Sequence, residues 1–123
     1  MDTLTIVIPI EARTKKNSQS IIINKGRPLI IPSSAYKQYE RDCKPYLPII
    51  DQPIAEPVNV KVTYYMKTKR KVDLVNLLQA TSDMLVHYKI LEDDNSNIIK
   101  SYNGCSVNYD KNNPRCEIEI CKI

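Results

Sequence analysis

The chain has 123 residues and a net charge of +4, which fits one ordinary domain with a modest core and leaves no room for a second. No apolar run approaches the length of a membrane span and the N-terminus lacks a signal-peptide pattern, so the expectation is a soluble, intracellular protein with no membrane partner. The four cysteines, Cys43, Cys105, Cys116 and Cys121, lack zinc-knuckle spacing, and the single His87 does not complete a zinc set; free, buried or half-buried thiols are expected rather than disulfides.

Leu4 to Pro9 alternates Thr, Ile and Val and predicts a strand. A polar, basic stretch follows from Glu11 to Gln19. Ser20 to Asn24 and Pro28 to Ile31 predict the two arms of a hairpin, turning at Lys25-Gly26-Arg27. Ser33 or Ser34 can cap a helix that starts near Ala35, where Tyr36, Tyr39 and Cys43 recur at helical spacing. Pro45 and Pro48 end or kink it. Asp51 to Pro57 holds two prolines and no period, and predicts a loop. Val58 to Met66 alternates clearly and predicts a strand.

A second helix is predicted from Asp73 to Tyr88. Leu74, Leu77, Leu78, Thr81, Met84, Leu85 and Tyr88 fall on one stripe, which predicts the core face. Asp73, Asn76, Asp83 and His87 lie on the other side. Val75 and Val86 fall off the stripe and are free for a second contact, such as a partner subunit. Ile98 to Asn108 and Glu117 to Cys121 predict closing strands around a turn at Asp110 to Pro114. Together these predict a single α+β domain with a mixed sheet and two main helices.

Charge is arranged in blocks. Arg13, Lys15 and Lys16 form one basic cluster, Lys25 and Arg27 a second, and Lys67, Lys69, Arg70 and Lys71 a third. The third stands directly before Asp73, and Glu92-Asp93-Asp94 follows the second helix. Carboxylates that hold a hard metal ion, beside cations that hold phosphate, are what a metal-dependent nuclease needs. Asp73 and Asp94 are far apart in sequence, so a returning loop or a partner chain must bring them together. Adjacent side chains seldom point the same way, so one of Glu92, Asp93 and Asp94 is expected as a ligand and another as its support. Plainer roles exist for each: Asp73 as a helix cap, the acidic run as a solvated turn, Asp83 in an ion pair, His87 as structural and the basic runs as solubilising loops.

The sequence resembles the RusA-like Holliday junction resolvases over nearly its whole length. The family pattern is Asp-x-Asp-Asn-Leu-x-Lys, then Asp-Ala-Leu, then Asp-Asp. Here it reads Asp73-Leu74-Val75-Asn76-Leu77-Leu78-Gln79, then Asp83-Met84-Leu85, then Asp93-Asp94, at matching spacing. The resemblance implies a RusA-like homodimer over residues 1–123, cutting four-way DNA junctions with Mg2+, for which Mn2+ can substitute. It implies Asp73, Asp94 and Asp93 as catalytic and metal-binding residues. Arg13, Lys15, Lys16, Lys67, Lys69, Arg70 and Lys71 are the expected DNA contacts. It also implies a cytoplasmic, nucleoid-associated protein of bacterial or phage origin. Two positions depart from the pattern: Val75 replaces an Asp and Gln79 a catalytic Lys. A junction-binding descendant that no longer cuts is therefore the rival expectation. A plain protein-interaction domain fits the basic clusters poorly.

Overall fold

In the computed structural model, residues 3–15, 19–32 and 34–123 are described. Lys16 and Ser33, an expected DNA contact and an expected helix cap, lie outside them. The domain is α+β, with a mixed five-stranded sheet, a separate two-stranded hairpin and two helices.

Strand β4, Val58–Met66, is the axis of the sheet. Its residues alternate between buried and half-buried, because period-2 side chains on a one-sided sheet face core and solvent in turn. Antiparallel β7, Arg115–Lys122, lies on one side of β4, and β1, Thr3–Ile8, lies beyond β7. On the other side two short strands run parallel to β4. These are β5, Ile99–Ser101, and β6, Ser106–Tyr109.

The expected strand over Ile98 to Asn108 is thus two strands, and the correction has a physical cause. The chain leaves the β4 edge between them, with Gly104 at φ +90°. Asn59 fills part of the gap: its Oδ1 accepts from Ser101 Oγ (2.5 Å) and Asn103 N (2.8 Å), and its Nδ2 donates to Asn103 O. Cys105 fills the rest, its Sγ accepting from Val62 N and donating to Val60 O. Side chains take the place of ladder bonds that the backbone does not make.

The hairpin joins β2, Gln19–Asn24, to β3, Arg27–Pro32. Its two-residue turn is Lys25-Gly26, both at positive φ, as a tight hairpin turn demands. Helix α1, Ser34–Cys43, buries Tyr36, Tyr39 and Cys43, as its spacing predicts. It stops at a 3-10 turn, Lys44–Tyr46, containing Pro45. Helix α2, Leu74–His87, buries Leu77, Leu78, Thr81, Met84 and Leu85, and also Ala80 and Ser82. Leu74 and Tyr88 pack half-buried against the core.

Both helices join the inner face of the sheet in one apolar cluster. Tyrosine hydroxyls tie the layers together: Tyr64 to Thr81, Tyr36 to the Ala80 carbonyl and Tyr88 to the Glu40 carbonyl. Buried aromatic bodies with satisfied polar ends give a core both apolar and specific. All four cysteines are free. Among the described residues, no helix is long and apolar enough to cross a membrane.

Candidate active site

Helix α2 positions most of the acidic residues. Asp73 caps it: Oδ1 accepts from Val75 N at 2.9 Å and Asn76 N at 3.3 Å. The helix start offers unpaired N–H groups and a positive dipole end, which a carboxylate satisfies. Val75, Gln79, Asp83 and His87 then recur at four-residue intervals and form one stripe. Val75 is 70% exposed, and Gln79 is also exposed.

The far end of α2 delivers the acidic run. Ile90 N bonds to Leu85 O and Lys89 N to Val86 O, with Lys89 in the left-handed region at φ 62°. This is a Schellman ending, with lysine where glycine is commoner. Ile90 and Leu91 bury their side chains immediately after it, as do Ile98 and Ile99 a few residues on. Ile54 N bonds to Ile90 O and Glu92 N to Ile54 O, clamping the chain against the 51–57 loop. Asn95 O accepts from Ile98 N and Ile99 N. The acidic turn is solvent-exposed but anchored on both sides.

Within that turn Asp93 and Asp94 differ. The Asp93 carboxylate accepts from Asp94 N at 2.8 Å and from the Asn95 amide at 2.6 Å, bonds that hold its carboxyl below the usual range. The Asp94 carboxyl is pushed upward, first by partial desolvation and then by the negative charges of Asp83 and Asp93. Asp94 is thus the member of the pair short of positive charge, and Asp93 is bonded into the turn.

A cavity of about 490 Å³ collects these groups, lined by Lys15, Lys37, Glu40, Asp83, Asp93 and Asp94 among others. Lys15 Nζ lies 2.9 Å from Asp83 Oδ2, so Asp83 forms the ion pair expected of it while also facing Asp94. His87 is exposed and sits 3.6 Å from Glu40. A second cleft, of about 580 Å³, is lined by Glu11, Arg13, Thr14, Arg70, Lys71 and Val72 among others. Arg13 and the 67–71 run are distant in sequence, and this cleft brings Arg13, Arg70 and Lys71 together. Lys67 and Lys69 are exposed beside it in sequence. The Lys67 backbone N–H donates to Glu11 at 2.6 Å and Lys69 lies over the Tyr109 ring.

Of the expected metal ligands, Asp93 and Asp94 share a cavity, and Asp73 lines neither cavity. Asp73 and Asp83 are ten residues apart on the helix, about 15 Å along its axis. Among the described residues, no three His, Cys, Asp or Glu side chains converge as a metal cluster. The Asp83–Asp94 pair nevertheless suits a hard divalent ion, which needs only one or two carboxylates besides water and phosphate oxygens. Asp83 was not among the expected ligands. Its place on the Gln79–Asp83–His87 stripe was readable, but its approach to Asp94 depends on the Schellman turn and the Ile54 clamp.

The family model for endodeoxyribonuclease RusA matches residues 9–121. The chain is a member of the RusA endodeoxyribonuclease family. The match begins just after β1 and takes in the basic segment, both helices, the acidic turn and β7 as far as Cys121, so it covers the acidic cavity and the basic cleft alike. No curated protein matches the chain significantly. RusA membership supports an endonuclease of the Holliday junction resolvase type, acting on branched DNA.

Proposed function

We propose that the protein is a magnesium-dependent endonuclease that resolves four-way DNA junctions as a homodimer. Family membership supports the reaction class, and one observation carries the assignment of the site: the Asp94 carboxylate is left short of positive charge beside Asp83. A divalent ion would relieve that deficit, held by Asp94 and Asp83 with Asp93 fixing the turn. Bound there, it would activate water and stabilise charge on the phosphate. Arg13, Arg70 and Lys71 would hold the DNA backbone in the basic cleft, with Lys67 and Lys69 extending the contact.

Asp73 enters this reading through the dimer. It stands about three helical turns from Asp83, next to the exposed apolar Val75, and a two-fold partner could bring it to the other subunit's Asp94. A C2 dimer would present two such sites to the two-fold symmetric junction.

The departures at Val75 and Gln79 favour a second reading, a junction-binding protein that no longer cuts. A synthetic four-way junction incubated with the protein, with and without Mg2+, separates the two. Paired nicks that need Mg2+ support the nuclease. A mobility shift with no cleavage in Mg2+ or Mn2+ supports the binder.

A further inference from the structure

The segment from Glu11 to Lys15 serves both cavities. Arg13 and Thr14 line the basic cleft and Lys15 the acidic cavity. Ala12 and Thr14 are buried and anchor it between them. The Lys15 ammonium lies 2.9 Å from Asp83 and 5.6 Å from the Tyr36 ring centroid. The Lys15 and Asp83 side chains are 32% and 30% exposed, so water screens the pair and opening it costs little. On the α2 stripe, the residue one turn before Asp83 is the neutral Gln79. The cation one turn after it, His87 when protonated, is 3.6 Å from Glu40. Among the described residues, Lys15 is therefore the cation paired with Asp83.

We propose that Lys15 is a positioning residue that exchanges partners during metal loading. In the metal-free protein its ammonium neutralises Asp83. When a divalent ion joins Asp83 and Asp94, repulsion between the two cations displaces the ammonium. Its flexible stem and compact charge then suit a non-bridging phosphate oxygen of the bound strand. Lys15 would hold the metal site together while empty and contact DNA once it is filled. This rests on the reading that Asp83 and Asp94 hold the ion.

The test is calorimetric titration of Mn2+ into the full chain without DNA, for the natural protein, Lys15→Met, Lys15→Arg and Asp94→Asn. Methionine keeps most of the apolar stem against Tyr36 and removes the charge. Lys15→Met should bind Mn2+ roughly 3- to 10-fold more tightly, because a competing cation is gone, yet cleave a junction more slowly. Lys15→Arg should restore both values toward the natural ones. A residue that only braced the fold would give weaker metal binding in parallel with a lower Tm. If Asp94→Asn leaves Mn2+ binding unchanged, the ion does not use this cavity, and both the functional reading and the exchange fail. If Asp94→Asn weakens binding but Lys15→Met does not tighten it, the exchange alone is overturned.

Discussion

Asp94 and Asp73 carry different burdens, and single substitutions separate them. Partial desolvation, and after it the negative charges of Asp83 and Asp93, hold the folded Asp94 carboxyl above the ordinary value. A raised folded value means that the native state holds the proton more tightly than the unfolded chain does. The resulting destabilisation is absent at low pH, appears as pH rises above about 3.9, the unperturbed Asp value, and persists above the folded value. Asp94→Asn should therefore raise the metal-free Tm by about 2 °C at pH 7, with no gain near pH 3, since the exposed group is worth only about half a kcal/mol after screening. The same variant should lose more than about a hundredfold in cleavage. Melting curves across pH and a junction assay check both halves; an unchanged Tm at pH 7 would show that the charged Asp94 carboxylate does not destabilise the fold. Asp73 instead stabilises its helix. Asp73→Asn keeps a capping oxygen and should lose cleavage with little change in Tm. Asp73→Ala should lose cleavage and also about 1 kcal/mol of stability, a fall of about 4 °C. Equal melting of the two would mean that the cap contributes nothing.

At the scale of elements, regular periodicity was readable and irregular pairing was not. Val58–Met66 is the strand its alternation predicts, and α2 differs from its expected span only by its two caps. Both follow from local patterns repeated over three or more turns or pleats. The β5–β6 break was not readable because Asn59 and Cys105, 46 positions apart, complete the edge jointly. The meeting of Asp83 with Asp94 was hidden for the same reason: helix spacing fixes a side chain's face, but a left-handed Lys89 and a clamp from Ile54 decide where the chain goes next. The departures on α2 yield a prediction at this scale. Val75 and Gln79 share a solvent-facing stripe with Asp83, so charges placed there need no burial. The folding cost that would attend a core Asp is absent. Val75→Asp with Gln79→Lys should leave Tm within about 2 °C, since surface changes are small, and should raise the cleavage rate through an added ligand and an added cation. The single changes need not sum, because both act on one site. A folded double variant that binds junctions tightly and gains no rate in Mg2+ or Mn2+ would show that the chain builds its site without those positions.

The whole molecule divides its charges: a basic cleft holding Arg13, Arg70 and Lys71, and an acidic cavity around Asp94. Neutralising the three cations together should weaken binding to every DNA and lower the slope of log affinity against log salt by about 2 to 3, as each lost phosphate contact releases one fewer counterion. An unchanged slope would leave those residues as solvated surface. The acidic side poses the question of the partner, because Asp94 lines the acidic cavity and Asp73 lines neither that cavity nor the basic cleft. If a two-fold dimer joins Asp73 of one subunit to Asp94 of the other, inactive variants should complement each other. In a mixed dimer of Asp73→Asn and Asp94→Asn subunits, one site would carry both substitutions and the other would be intact. Random reassortment makes half the dimers mixed, each with one good site of two, so about a quarter of the natural site count should return. Those dimers would nick one strand of a junction rather than resolve both. A site contained within one subunit predicts the opposite, since every site in the mixture would still lack one carboxylate. The measurement is nicking by the two purified variants after joint unfolding and refolding, with each refolded alone as the control and light scattering used to establish that dimers form. Dimers that remain fully inactive after mixing would show that Asp73 of one subunit and Asp94 of the other do not form a shared site.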